Sequence, residues 1–126
     1  MQIGVRHVRA TRRFHFDSAH RLIGYPGKCN QLHGHRWILD VTVEEKVSTD
    51  TGLSTDFGEI KEIVNNTIID KLDHFYLNDI LQTPNPTAEI IILWIWTQLK
   101  TYFQETLHSL RLYESPDSWI DYDGGV

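Results

Sequence analysis

From Leu32 to Val47 the chain alternates, with His33, His35, Trp37, Leu39, Val41 and Val43 on one face and Arg36, Asp40, Thr42 and Glu44 on the other. A period of two predicts a strand with one buried face. The preceding stretch, Arg9 to Asp17, is rich in β-compatible residues and sets Phe14 and Phe16 on one face. A turn-rich loop with Gly24, Pro26 and Gly27 separates the two, which together predict a long antiparallel pair. The period then changes. Phe57, Ile60, Val64, Thr67, Ile68 and Leu72 recur at helical spacing behind Asp56, a capping residue with Glu59 three positions on. A second helix is predicted to start at Asn85-Pro86-Thr87, where a capping residue precedes a proline suited to the first turn. Its body, Glu89 to Phe103, is apolar on more than one side through Ile90, Leu93, Trp94, Trp96 and Leu99. Such a helix is either sandwiched in a core or covered by another subunit. Strands are predicted from Ser109 to Ser115, with Leu110, Leu112 and Glu114 on one face, and from Trp119 to Tyr122. The order β-β-α-α-β-β gives an α+β architecture: an antiparallel sheet with two helices on one face.

At 126 residues the chain fits one domain, and neither repeats nor a linker divide it. Residues 1–8 lack a pattern and read as a mobile N-terminal arm before a single domain over residues 9–126. Apolar content of 40% and charged content of 23% are those of a globular protein, which excludes fibre and disorder. The longest apolar run, Ile90 to Trp96, is far short of the roughly 20 residues of a membrane span. No secretory signal pattern opens the chain, and a single cysteine excludes an internal disulfide and suits a reducing compartment. The expected location is cytoplasmic. Net charge is −5, and the cluster Arg6, Arg9, Arg12 and Arg13 reads as a solvated edge, so neither nucleic acid nor membrane is an expected partner.

The candidate chemistry gathers at strand ends. His33 and His35, two apart on a strand, project from the same face and can grip one ion. Gly34 between them leaves the backbone free for a close approach. His20 lies at the end of the preceding strand, and hairpin pairing would return His33 close to it. Three imidazoles without an obvious fourth protein ligand form the pattern of a catalytic zinc (Zn2+), which keeps one position open. Cys29, four residues before His33, is the candidate for a fourth ligand. Its alternatives are a small buried hydrophobe, or a thiolate that acts as base or nucleophile beside a dication. Asp73-His74 follows the first helix; a carboxylate there can fix the tautomer and raise the basicity of the imidazole. Adjacent side chains often point apart, and a helix cap with a solvated histidine is the plain alternative. Glu114 shares a face with Leu110 and Leu112 and so needs a partner, either an arginine or the amidine-like edge of a heterocycle. Glu89, in a first helical turn, is explained by the helix dipole.

These pieces resemble the 6-pyruvoyl-tetrahydropterin synthase family, and within it the branch of 6-carboxytetrahydropterin synthases. The segments that carry the resemblance are Phe16-Asp17-Ser18-Ala19-His20-Arg21-Leu22, Cys29-Asn30-Gln31-Leu32-His33-Gly34-His35, Asp56-Phe57, Leu72-Asp73-His74, Leu77-Asn78-Asp79, Asn85-Pro86-Thr87-Ala88-Glu89 and Tyr113-Glu114-Ser115. They run in family order over nearly the whole chain from Arg12. The short spacing from Cys29 to His33-Gly34-His35 is similar to the carboxy branch; the pyruvoyl branch usually spaces its cysteine farther away.

The resemblance implies that His20, His33 and His35 bind zinc, that Cys29 is the proton-abstracting base and that Asp73 with His74 is a second acid/base unit. It implies that Glu114 anchors a pterin ring by its 2-amino and ring N–H edge. It further implies the tunnelling fold, in which trimers close their sheets into a barrel and two trimers form a homohexamer with intersubunit active sites. The implied substrate is the small-molecule pterin triphosphate 7,8-dihydroneopterin triphosphate. The implied products are 6-carboxy-5,6,7,8-tetrahydropterin, acetaldehyde and triphosphate, on a route to queuosine. Lys28 and Arg21, near the metal in sequence, are candidates for the triphosphate. Phe75 departs from the family pattern, where a second histidine often follows Asp73-His74. Two rivals stand beside this reading: the pyruvoyl branch, which only eliminates triphosphate, and a non-catalytic zinc- or pterin-binding protein.

Overall fold

A computed structural model describes residues 1–125; Val126, the last residue of the expected domain, lies outside the described residues. Strand β1 (His7–His20) and strand β2 (His33–Lys46) pair antiparallel from His7↔Lys46 to His20↔His33. Helix α1 (Phe57–Val64), a π turn (Asn65–Ile69) and a last helical turn, α2 (Asp70–Leu72), follow as one rod. A short helix α3 (Leu77–Leu81) leads to the long helix α4 (Ala88–Phe103). Strands β3 (Leu107–Ser115) and β4 (Ser118–Tyr122) complete a four-stranded antiparallel sheet in the order β1-β2-β3-β4. The class is α+β. No helix among the described residues is long and apolar enough to cross a membrane.

The core lies between one face of the sheet and the helices. Phe16, Trp37, Leu39, Val41, Leu110 and Leu112 enter it from the strands; Ile60, Ile68, Leu72, Ile91, Ile95 and Leu99 meet them from the helices. In the first rod Ile60, Val64, Ile68 and Leu72 recur every four residues and all are buried. A four-residue step overshoots a full turn of a 3.6-residue helix by about 40°, so a straight α-helix would carry Leu72 away from the core. The π turn spends an extra residue at Asn65–Ile69 and takes back part of that drift.

The opposite face of the sheet is a ladder of cross-strand polar pairs. Arg13 grips Asp40 at 2.8 and 3.0 Å and reaches Tyr113 Oη, Arg111 grips Asp121, and Arg9 pairs with Glu44. Two of the four N-terminal arginines are therefore neutralised by a neighbouring strand.

β2 and β4 fall within one residue of the bounds the sequence pattern predicts, and four elements differ by more. β1 begins at His7 and runs to His20, beyond both ends of the apolar stretch, because its last core-facing positions are the polar Ser18 and His20. α4 starts at Ala88 with Thr87 as its cap, Thr87 Oγ1 accepting from Ile90 N–H, so Asn85 and Pro86 precede the helix. α3 was not expected: five residues are too few to show a helical period, although Leu77 and Asn78 are buried. β3 begins at Leu107, two residues early, where Leu107 closes the core beneath α4.

Candidate functional site

The 14-residue register of β1 on β2 makes His20 and His33 cross-strand partners and puts His35 one core-facing step along from His33. The ring centroids lie 4.5 Å (His20 to His33), 5.1 Å (His20 to His35) and 4.9 Å (His33 to His35) apart. Their ligand atoms all lie within 4.8 Å of one another. Two rings are oriented by backbone carbonyls: His20 Nδ1 lies 2.9 Å from Pro86 O and His33 Nδ1 lies 2.6 Å from Gln31 O. A carbonyl only accepts, so both Nδ1 atoms carry a proton, and in the neutral form of each ring it is Nε2 that presents the lone pair. The Pro86 carbonyl is free to do this because the helix begins two residues later. Trp37, fully buried, packs its edge against His20 and His35 at centroid distances of 5.2 and 5.4 Å and so floors the cluster.

His20 Nε2 and His35 Nε2 are buried without a hydrogen-bond partner among the described residues. Burial lowers the pKa of both rings, against the opposing pull of the Pro86 carbonyl on His20 and of the Glu114 carboxylate on both. Each ring therefore enters the fold neutral, the form that binds a metal. These groups bind protons more tightly in the unfolded chain, so their contribution is complete above the unfolded histidine value and lost as pH falls below it. Metal-free protein should show a lower Tm at about pH 5.5 than at about pH 7.5. Equal values in thermal denaturation would show that the rings do not enter neutral.

Glu114 comes to this cluster from β3. The β3–β4 register passes from Tyr113↔Trp119 to Ser115↔Ser118, so Glu114 is the extra residue of a β-bulge. Bulges re-aim a side chain, and this one directs Glu114 Oε1 to 3.7 Å from His20 Nε2 and 3.6 Å from His35 Nε2. Of the two partners open to Glu114 on sequence grounds, no arginine pairs with it among the described residues; it faces the histidines.

Cys29 sits on a 3-10 turn, Lys28–Asn30, and is half-buried; its thiol is not one of the atoms grouped with the three histidines. Its backbone is held in place, Leu22 N–H donating to Cys29 O at 2.7 Å. Arg21 Nε donates to the backbone and side-chain oxygens of Asn30, which ties the Cys29 turn to the end of β1. Only Nε is engaged in this way, and the residue is exposed. Asn78, part of a segment that carries the resemblance but given no role by the sequence, is buried in α3; its side chain accepts from Arg21 N–H and donates to Arg21 O at 2.7 Å.

Asp73 and His74 form a second cluster. His74 Nδ1 lies 3.0 Å from Asp73 Oδ2, and Asp73 Oδ1 accepts from the backbone N–H of Asp17 at 2.8 Å. His74 N–H donates to Asp17 O at 2.6 Å and Ala19 N–H to Phe75 O at 3.2 Å, so the segment is stitched to β1 just before His20. His74 takes a left-handed backbone (φ 65°), which turns its side chain out of the helical path; that side chain is 78% exposed. The Asp17 N–H, above all, and the His74 imidazole hold Asp73 below its ordinary carboxylate value. Arg36 grips the Asp17 carboxylate at 2.9 and 3.0 Å and lowers its pKa likewise. An open groove of about 530 Å³ is lined by His35 and Gly34 of β2, by Asp17 of β1 and by His74 and Phe75. Asp17 and Arg36 escaped sequence reasoning because a charged pair on a strand face resembles any surface pair.

Residues 9–125 match the family model described as 6-pyruvoyl tetrahydropterin synthase. A 6-carboxy-5,6,7,8-tetrahydropterin synthase of Synechocystis is 35% identical, with 88% of this chain and 89% of that protein covered. A 6-pyruvoyl tetrahydrobiopterin synthase of Dictyostelium discoideum is 33% identical, over 94% of this chain and 98% of that one. These identities are too close to separate the two activities. The structure of a Caenorhabditis elegans 6-pyruvoyl tetrahydropterin synthase superposes with a TM-score of 0.86 over 95% of this chain and 97% of that one; at 24% identity it speaks for the tunnelling fold alone.

Proposed function

The chain belongs to the 6-pyruvoyl tetrahydropterin synthase family, and from that premise we propose that it is a zinc-dependent 6-carboxytetrahydropterin synthase. In this reading it converts 7,8-dihydroneopterin triphosphate to 6-carboxy-5,6,7,8-tetrahydropterin, acetaldehyde and triphosphate in the cytoplasm, on the route to queuosine. The observation that carries the metal dependence is the pair of buried, unpartnered nitrogens His20 Nε2 and His35 Nε2. A buried acceptor left unpaired costs about 1–3 kcal/mol, and a cation shared with His33 relieves two at once. The donor set, three imidazoles of which His20 and His33 set Nδ1 on a backbone carbonyl, fits zinc. When bound, the ion supplies Lewis-acid polarisation of the substrate's side-chain oxygens.

The chain's own residues supply the rest. Glu114 accepts the 2-amino and ring N–H donors of the pterin, an edge-on pair of charge-assisted hydrogen bonds that fixes the ring. Cys29 removes a carbon-bound proton from the side chain, and the Arg21–Asn30 contacts hold its turn in place. His74 moves a second proton at Nε2, since its Nδ1 is committed to Asp73. The Asp73–His74 pair opens to solvent, and β4 and the part of β1 before Asp17 are the edges of the sheet left without a neighbouring strand among the described residues. Both features support a homohexamer in which this pair serves a neighbour's zinc and the edges pair between subunits. The half-exposed Ile90 and Leu93 of α4 add an uncovered apolar face to the same reading.

Product analysis tests the reaction. Zinc-loaded protein given 7,8-dihydroneopterin triphosphate should release 6-carboxytetrahydropterin with equimolar acetaldehyde, read by mass spectrometry and an aldehyde assay. A 6-pyruvoyl product without acetaldehyde would assign it to the pyruvoyl branch instead.

A further inference from the structure

Glu114 faces the histidine cluster in a way that anchoring a pterin does not require. Its Oε1 lies 3.6 Å from His35 Nε2 and 3.7 Å from His20 Nε2. Zinc bonds of about 2.0–2.1 Å set neighbouring ligand atoms of a tetrahedral site about 3.3 Å apart. The carboxylate therefore stands within a few tenths of an ångström of a ligand's place beside two of the three nitrogens. These contacts are too long for hydrogen bonds, and none is available on the His20 side, where Nδ1 holds the proton toward Pro86 O. A carboxylate and an imidazole lone pair that face each other across such a gap repel unless a cation lies between them.

The backbone supports the same placement. Glu114 is the extra residue of the β3–β4 bulge and lies one position beyond the last β2–β3 pair, Ile38↔Tyr113. It is free of both ladders where its side chain must reach. Neither Cys29 nor Glu114 is among the donor atoms that all lie within 4.8 Å of one another; Glu114 already stands beside His20 and His35 and has to close on His33 to complete the set.

We propose that Glu114 is the fourth protein ligand of the resting metal site and leaves it when a pterin takes its carboxylate. This rests on the pterin-anchoring reading above and adds to it a coordination switch. Without substrate, the fourth position is closed by a carboxylate. As the pterin edge draws the carboxylate away, the position opens to the substrate's side-chain oxygens. The ring is then the signal that exposes the metal, and a phosphorylated polyol without a pterin ring would meet a closed site.

The switch can be read without turnover in cobalt-substituted protein, with azide as a probe for an open position. Glu114→Ala and Glu114→Gln should bind zinc at least tenfold more weakly in chelator competition, shift the cobalt d–d bands and take azide at least tenfold more tightly. Cys29→Ala should leave the bands in place. Unsubstituted pterin, which has the ring edge but no side chain, should raise the azide affinity of the wild-type protein toward that of Glu114→Ala. Unchanged zinc affinity or unmoved cobalt bands in the Glu114 variants would overturn the proposal, as would azide affinity in wild-type protein that ignores pterin. A carboxylate acting only through its charge would alter azide affinity without moving the bands before azide is added, which also counts against it. A protein that ligates in this way yet turns over no substrate would refute the proposed reaction and leave the ligation standing.

Discussion

Exchanging His35 for alanine should strip the metal and abolish turnover while the fold survives. His35 is the suitable ligand to remove because its side chain is 28% exposed, whereas His20 is 1% exposed and also anchors to Pro86. Removing it deletes one of the buried unpartnered nitrogens, so the metal-free variant should melt no lower than metal-free wild type. Replacing a group that merely orients a ligand costs about 10–100-fold in metal affinity, and loss of a ligand should cost at least the upper figure. A Lewis acid contributes several kcal/mol to the barrier, so kcat should fall by on the order of a thousandfold or more. Zinc content by elemental analysis, read beside a thermal melt, checks both halves. A variant that keeps stoichiometric zinc would show that His20 and His33 suffice with another ligand.

Replacing Cys29 with alanine should leave the metal bound and lower kcat by about 10²–10⁴, the usual contribution of a positioned base. The separation follows from the geometry. The cysteine rides on the Lys28–Asn30 turn, outside the three-histidine group, and its loop is held by Arg21, Asn30 and Leu22. Zinc content and melting temperature should match wild type, so that only the chemical step changes. Turnover retained within tenfold would move proton abstraction to His74, whose ring Asp73 already orients.

What the sequence revealed and what it concealed follow from the range of the interactions. The period of two from His33 to Val43 marked the strand and, on the same face, the metal-binding pattern, because one geometry serves both. His20 could be joined to it since a hairpin brings its two strand ends together. Asp56 was legible as a cap because capping is local, and its carboxylate accepts from Gly58 N–H at 2.7 Å. The start of α4 was misjudged because Asn85, Pro86 and Thr87 all suit a helix entrance, and a distant ring, His20, decides the use of the Pro86 carbonyl. Glu114 was legible as an inward carboxylate, but the bulge that aims it at two imidazoles depends on β4. The stitching of Asp73 and His74 to Asp17 spans 56 residues and leaves no mark in local pattern. The same holds for Asn78, whose amide bridges Arg21 from 57 residues away.

The central claim is that a metal held by His20, His33 and His35 is required for turnover of a pterin triphosphate. The most direct test is a zinc titration of metal-stripped protein, with 7,8-dihydroneopterin triphosphate turnover followed at each addition. Activity should start from background, rise in proportion to added zinc and level off at one ion per chain. Full turnover by stripped protein, or zinc that binds at one per chain without restoring any, would contradict the account.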